Sequence, residues 1–274
     1  MNYTINNLKT FCISHEYISY LDKLNLKIIG SGASKKKFPD HWLNDASGTN
    51  ISKKNPSYGT LTSIYWIWKN QLMNFNENDY ISICHYRRFW LKENHETEIN
   101  KNNLDKNILR SVPENYLNYQ GFVCSPQSLK GYKFSKLLKK GKRSLIKDPL
   151  ILFDESKHTI KLHFDIFHVY EGLEKAITVL NDDDKKDFLK YVQKKTEFFP
   201  LSIFILKKNF FEKLCVSTFD WIEKCEKLFD QNKFKGYGEI RFFDFLAERY
   251  FSFWISKYCK YKIWPYCLID TQKK

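Results

Sequence analysis

Three short apolar runs constrain this chain more than any other feature: LKTFCIS (8–14), LKIIGSGAS (26–34) and YISIC (80–84). Each stops abruptly at polar or glycine residues, the pattern of a buried strand reaching a sheet edge. Between the second and third, residues 35–57 are dense in Pro, Gly, Asn, Asp and Ser and read as loop. YGTLTSIYWIWKNQL (58–72) follows, with Leu61, Ile64, Tyr65, Trp68 and Leu72 recurring at helical steps on one face. Strand, loop, helix, strand is the rhythm of a βαβ unit, and it predicts an open α/β sheet.

The second half is less regular. GFVCSP (121–126) and FFPLSIFILKK (198–208) read as strands. HFDIFHVYEGLEKAITVL (163–180) is expected to begin extended and become helical, and NDDDKKDFLKYVQKK (181–195) to form a helix whose acidic start suits its dipole. Residues 209–229 and 239–258 read as long helices. No repeat or Gly/Ser linker divides the chain, so a single domain over 1–274 is expected, its halves (about 1–125 and about 126–274) meeting near residue 125.

Composition narrows the partners. At 43% hydrophobic and 17% aromatic the chain can bury a large core, which argues against disorder. A formal charge of +14 predicts attraction to anions: nucleic acid, an anionic membrane face or a phosphorylated small molecule. The seven widely spaced cysteines form no C-x-x-C pair and suit a reducing, cytoplasmic setting. The N-terminus lacks the basic and apolar regions of a signal peptide, and no apolar run is long enough to span a bilayer. The basic stretch 130–147 suits electrostatic, peripheral contact with the inner membrane.

In open α/β sheets, ligands bind beyond the carboxyl ends of the strands. The three runs end at His15-Glu16, at Gly30-Ser31-Gly32 and at His85-Tyr86-Arg87-Arg88. If these ends converge, the glycines expose backbone N–H groups and the arginines supply charge, a setting suited to a diphosphate. In the second half, Arg241, Asp244, Glu248 and Ser252 form a polar stripe through the aromatic helix 239–258. Its carboxylates are candidate bases, with an internal Arg241–Glu248 network as the alternative. His158, His163 and His168 are five residues apart, a spacing that aligns on neither a helix face nor a strand face, so no metal site is assigned to them.

Several stretches together resemble one bacterial family, DUF4422, whose members occur among capsular polysaccharide and lipopolysaccharide glycosyltransferases. The likeness rests on His15, Gly32-Ala33, Asp45, Gly48, Asn50-Ile51-Ser52, Asn55, Tyr65-Trp66, Trp68-Lys69-Asn70 and His85 to Arg88, and near the C-terminus on Phe245, Glu248 and Arg249. The sequence departs from the family pattern at Glu16, where lysine is usual, at Gly59-Thr60-Leu61-Thr62, and at Leu201-Ser202-Ile203, where an Asn-Met pair is usual.

The resemblance implies a GT-A-like, Rossmann-type open sheet with helices on both faces and a helical C-terminal part. A nucleotide-sugar-binding half would precede an acceptor-binding half. It implies transfer of a hexose from a nucleotide sugar, UDP-linked and with galactofuranose among the options, to a growing capsule, lipopolysaccharide or exopolysaccharide glycan. Glu248 or Asp244 would act as base, and Arg87 and Arg88 would stabilise the leaving diphosphate in place of a metal-holding D-x-D motif. Substrate contacts are expected from His15, Gly30, Gly32, Asp45, Asn50, Ser52, Asn55, Lys69, His85, Tyr86, Arg241 and Arg249. No cofactor is expected, although Mn2+ or Mg2+ at Asp45 or Asp79 remains open. The acceptor would be a glycan or a lipid-linked glycan. A nucleic-acid-binding protein is the main alternative, disfavoured because the aromatics fall at core-like spacing, and a non-catalytic scaffold of the polysaccharide machinery is another.

Overall fold

The structure, a computed structural model, describes residues 7–131, 137–139 and 141–270. It divides into two compact units. The first comprises Met1–Ser125, Ser202–Cys215 and Ile255–Lys274, and the second Pro126–Leu201 and Val216–Trp254. Nothing in the sequence signals that the two later segments belong with the first unit.

In chain order the strands are β1 (Leu8–Ser14), β2 (Lys27–Gly30), β3 (Leu43–Asn44), β4 (Tyr80–His85), β5 (Arg88–Trp90), β6 (Gly121–Val123), β7 (Gln127–Ser128), β8 (Glu197–Phe198), β9 (Phe204–Lys207), β10 (Tyr261–Ile263) and β11 (Tyr266–Leu268). The first unit is built on the expected α/β sheet, in the order β10-β6-β9-β4-β1-β2-β3, with β5 on β4 and β11 on β5. The strands β1, β2, β3 and β4 run parallel, and β4 is buried from Tyr80 to Cys84, as a continuous apolar run in a sheet centre requires. Strand β9 enters antiparallel between β4 and β6, and the C-terminal part is not wholly helical, because β10 and β11 join this sheet.

The helix Leu61–Asn70 supplies the crossover between β3 and β4. Its buried residues include Leu61, Ile64, Trp66 and Ile67. Tyr65 and Trp68, expected on the core face, are only half-buried. The helix turns about 100° per residue, so one residue of drift moves a ring from core to rim.

In the second unit β7 and β8 pair antiparallel, and Phe188 of the helix Asp182–Lys194 packs between Trp221, Tyr250 and Phe253 at centroid distances of 5.8, 5.5 and 4.8 Å. That helix starts with Asn181, whose side chain accepts the Asp184 N–H, and the three aspartates fill its first turn. The segment expected to begin extended is instead a helix from Ile160 to Phe167, because Thr159 caps it by accepting the Leu162 N–H. A break with Glu171 at φ 56° separates it from the helix Gly172–Ile177. Of the basic stretch 130–147, residues 132–136 and 140 lie outside the described residues. No helix of the described residues is long and apolar enough to cross a membrane.

Candidate functional site

The parallel register brings the three strand ends together. Ser14 lies beside Gly30 and Ile13 beside His85, so the chain leaves β1, β2 and β4 along one edge. Two backbone bonds extend that alignment past the strands, from Ser31 N–H to Ser14 O (2.8 Å) and from Tyr86 N–H to Ile13 O (3.0 Å). Beyond the edge, the rings of exposed His15 and half-buried Tyr86 meet edge-on at 4.8 Å. Exposed Lys36 donates to His15 O (2.8 Å), adding a cation that the sequence reading missed.

The glycine turn at this edge does hold an anion, but the anion is the protein's own. Asp45 is fully buried. Its Oδ2 accepts from the Gly32 N–H (2.8 Å) and Thr62 Oγ1 (2.6 Å), and its Oδ1 from the Ala33 N–H (2.9 Å) and Ser52 Oγ (2.7 Å). Two hydrogen bonds to each oxygen fill the acceptor sites of a carboxylate. The neighbouring amides are taken as well, Ser34 N–H by Ser52 Oγ (3.1 Å) and Lys35 N–H by Gly32 O (3.0 Å). Gly32 sits at φ +76°, and a Cβ there would lie 2.7 Å from Asn55 Oδ1. Gly30 is needed for packing, since a Cβ would meet the Phe38 ring at 2.4 Å.

The rest of the Asp-to-Asn motif is used in the same way. Asn55 Nδ2 donates to Ser31 Oγ, Gly59 O and Thr62 Oγ1 within 3.0 Å. Exposed Asn50 closes its own turn on Ala46 O and Gly48 O, both at 3.0 Å. Asn70 Oδ1 accepts from the Thr49 N–H, and Trp66 Nε1 donates to Ser47 O (2.9 Å). Asp45 and Ser52 therefore offer no exposed atom for the donor contact expected of them, and their hydrogen bonds brace the loop. Lys69 stands over the Trp68 ring at 3.4 Å on the exposed side of the helix.

The HYRR segment is a hairpin turn. His85 pairs with Arg88 across it, leaving Tyr86 and Arg87 as the two loop residues, both at negative φ. Strand β5 then runs back along β4 and is held by β11. Tyr20 donates its hydroxyl to Tyr86 O; burial pushes that phenol up from its ordinary range, which keeps it a donor. Ile269 clamps the loop twice, donating its N–H to Arg87 O (2.7 Å) and accepting from Arg87 Nε (3.3 Å). Both arginines are half-buried, and among the described residues neither forms an ion pair. Tyr20 and Ile269 were invisible in the sequence, because both act through backbone atoms of distant residues.

In the second unit the polar stripe of the helix Phe242–Tyr258 splits by role. Glu248 Oε1 accepts the Leu201 N–H (2.5 Å) and Ser252 Oγ the Phe199 N–H (2.9 Å). Residues four apart on a helix rise about 6 Å, close to the roughly 6.6 Å between alternate residues of an extended chain. The stripe thus satisfies the backbone of residues 199–201 as a neighbouring strand would, and Leu201 and Ser202 both take positive φ there. Asp244 faces Arg241 at 3.6 Å, so Arg241 pairs with Asp244 rather than with Glu248. Arg249 is buried, bonded to Glu248 Oε2 and to His163 Nδ1 (3.1 Å) and His168 Nε2 (3.3 Å). Because a guanidinium only donates, both ring nitrogens accept, and the His168 proton sits on Nδ1 toward Gly238 O (3.0 Å). The two histidines meet despite their spacing because the helix ends at Phe167 and His168 turns back from it. Among the described residues no group of three His, Cys, Asp or Glu side chains is placed to hold a metal ion.

Residues 9–259 match the model of a family described as a domain of unknown function, DUF4422. A solved structure described as the WbbM bifunctional glycosyltransferase in its apo state shares the fold, with a TM-score of 0.68 at 18% identity. The likeness covers 97% of this chain and 46% of that one, so this chain spans about half of that protein's length. The mannosyltransferase Ktr4p from S. cerevisiae aligns over 89% of this chain and 63% of its own at 9% identity, with a TM-score of 0.27. No curated protein matches.

Proposed function

We propose, for a chain that belongs to the DUF4422 family, that it transfers a hexose from a nucleotide sugar to a cell-surface glycan and that its HYRR hairpin meets the leaving diphosphate. The observation that carries this reading is the contrast at the strand edge. The backbone amides of residues 31–35 are engaged within the protein, whereas Arg87 and Arg88 have no carboxylate partner among the described residues. The shared fold with a bifunctional glycosyltransferase supports the same class of chemistry.

In the proposed reaction an acceptor hydroxyl attacks the anomeric carbon of the donor, the bond from that carbon to the diphosphate oxygen breaks, and a base takes the hydroxyl proton. Negative charge develops on the phosphate oxygens, where half-buried guanidiniums stabilise it more than water would. His15, Lys36 and Tyr86 flank the donor, and His85 sets the start of the turn. The donor is a UDP-hexose, galactofuranose being one option, and the acceptor a glycan or lipid-linked glycan met at the cytoplasmic face of the inner membrane.

Thermal stabilisation by UDP, GDP, CMP and ADP, each with Mn2+ and with EDTA, tests the reading. Selective stabilisation by UDP that survives EDTA and is lost in R87A and R88A is expected. Stabilisation only with Mn2+ would overturn the metal-free role of the arginines. No response to any nucleotide would overturn the transferase.

A further inference from the structure

In the second unit, the described residues from Leu137 to Phe153 divide between a buried apolar cluster and open surface. Leu137 and Ile151 are buried against Leu162 and Ile166, and Leu145 packs on the same cluster. Three large apolar side chains of the same stretch stay outside that cluster. Ile146 is 82% exposed, Leu150 59% and Phe153 81%. Large apolar side chains are seldom left this open one after another, and contiguous ones mark interaction surfaces. Lys139, Lys142 and Arg143 stand exposed in the turns that lead to Ile146, while Asp154 and Glu155 are exposed just after Phe153, so the basic side of the patch is its Ile146 end. The surrounding run 130–147 carries eight basic residues and no acidic one.

We infer that Ile146, Leu150 and Phe153, with Lys139, Lys142 and Arg143, form a docking face for an anionic lipid bilayer. Protruding apolar side chains with a basic side are what an interfacial element needs. The side chains enter the boundary between headgroups and acyl chains, and the long basic side chains reach back to the phosphates. Charge complementarity selects this occupant over a neutral protein surface. A nucleic-acid strand fits less well, since Phe153 is the one protruding ring among three apolar residues and stacking needs several. The Asp148 and Lys157 side chains pair with each other at 2.5 Å, and Lys147 pairs with Glu171 at 2.6 Å, so these charges are partly neutralised beside the face. A polar cavity of about 320 Å3 opens along the same segment, with Ser144, Lys147 and Tyr170 in its wall. The inference rests on the proposed function for its purpose, since a lipid-linked acceptor would be met there, but its test does not.

The full-length chain is floated with vesicles of phosphatidylcholine alone and with about a third phosphatidylglycerol added, at low and high salt. Expected is binding to the anionic vesicles, weakened by salt and reduced at least roughly tenfold in I146S/L150S/F153S. A K139Q/K142Q variant keeps the apolar side chains and should lose the preference for anionic lipid. All five side chains are exposed, so both variants should fold, which unchanged melting checks. Equal binding by wild type and the triple-serine variant would overturn the inference, as would equal binding to both vesicle types. Self-association abolished by the triple-serine change, without vesicle binding, would also overturn it by assigning the face to a second copy. UDP stabilisation in the triple-serine variant reads the donor site separately, so failure of one reading is distinguishable from failure of the other.

Discussion

Asp45 and the Arg87-Arg88 pair lie in the same unit and the same sequence signature, yet their surroundings are opposite. Four donors converge on a carboxylate with no exposed surface, while two guanidiniums remain half-exposed with one side-chain bond, from Arg87 to Ile269 O, between them. The difference separates two reasons why a residue can mark a family. A buried charge must be satisfied by the protein itself, because leaving it bare is expensive, so its environment specifies a loop. A cation left short of partners has donors to offer a ligand.

The comparison can be broken at either end. The largest effect is expected at the arginines, where R87A or R88A should lower turnover about 10²–10³-fold, as for loss of a charge-stabilising donor, while melting moves by little. Steady-state rates with a UDP-hexose, alongside calorimetry, would check this, and a large loss of stability without loss of rate would invert the two roles. At the other end, D45A strands the Gly32 and Ala33 amides and the Ser52 and Thr62 hydroxyls. It should destabilise the fold by about 3–5 kcal/mol in urea titrations. A D45A protein of native stability that no longer binds nucleotide would return Asp45 to the donor site.

The second unit offers a sharper version of the same contrast. S252A leaves the Phe199 N–H without its acceptor and should cost about 1–3 kcal/mol, read by chemical denaturation. E248Q keeps an acceptor for the Leu201 N–H, and D244N is close in shape to the native residue. E248Q nevertheless removes the charge that faces buried Arg249 and should cost about 3–5 kcal/mol in the same denaturation series, whereas D244N, at the looser Arg241 pair, should move melting by little.

The smallest effect concerns Asp22. Burial works against its charged form, but hydrogen bonds from His41, Trp42 and Tyr17 outweigh it and hold the carboxyl below the usual carboxylate range. Its contribution is then fully present above the unfolded value, about 3.9, and is lost as pH falls through the lower folded value. D22N should flatten the acid limb of the stability–pH curve and leave neutral pH nearly unaffected.

Much of the first unit was legible because its signals are local. A run such as YISIC can only be buried on both faces, and the Leu61–Asn70 helix announces itself by its spacing. The loop motif was recognisable too, but the burial of Asp45 and Ser52 within it was not, since polar residues that grip a sugar and polar residues that grip a backbone are the same residues. The helix 160–167 was misread at its start because one threonine cap outweighed a β-rich composition.

The sequence alone determined the α/β class, the polarity of the strands toward His15, Gly30 and His85, and the arginines that follow, because periodicity and composition act over a few residues. Only the tertiary structure decided that Asp45 fills the glycine nest, that Ile269 clamps the arginine turn, and that His163 and His168 share Arg249. Each of these joins residues far apart in the chain, and satisfying a buried polar group depends on which partners the fold brings within about 3 Å of it.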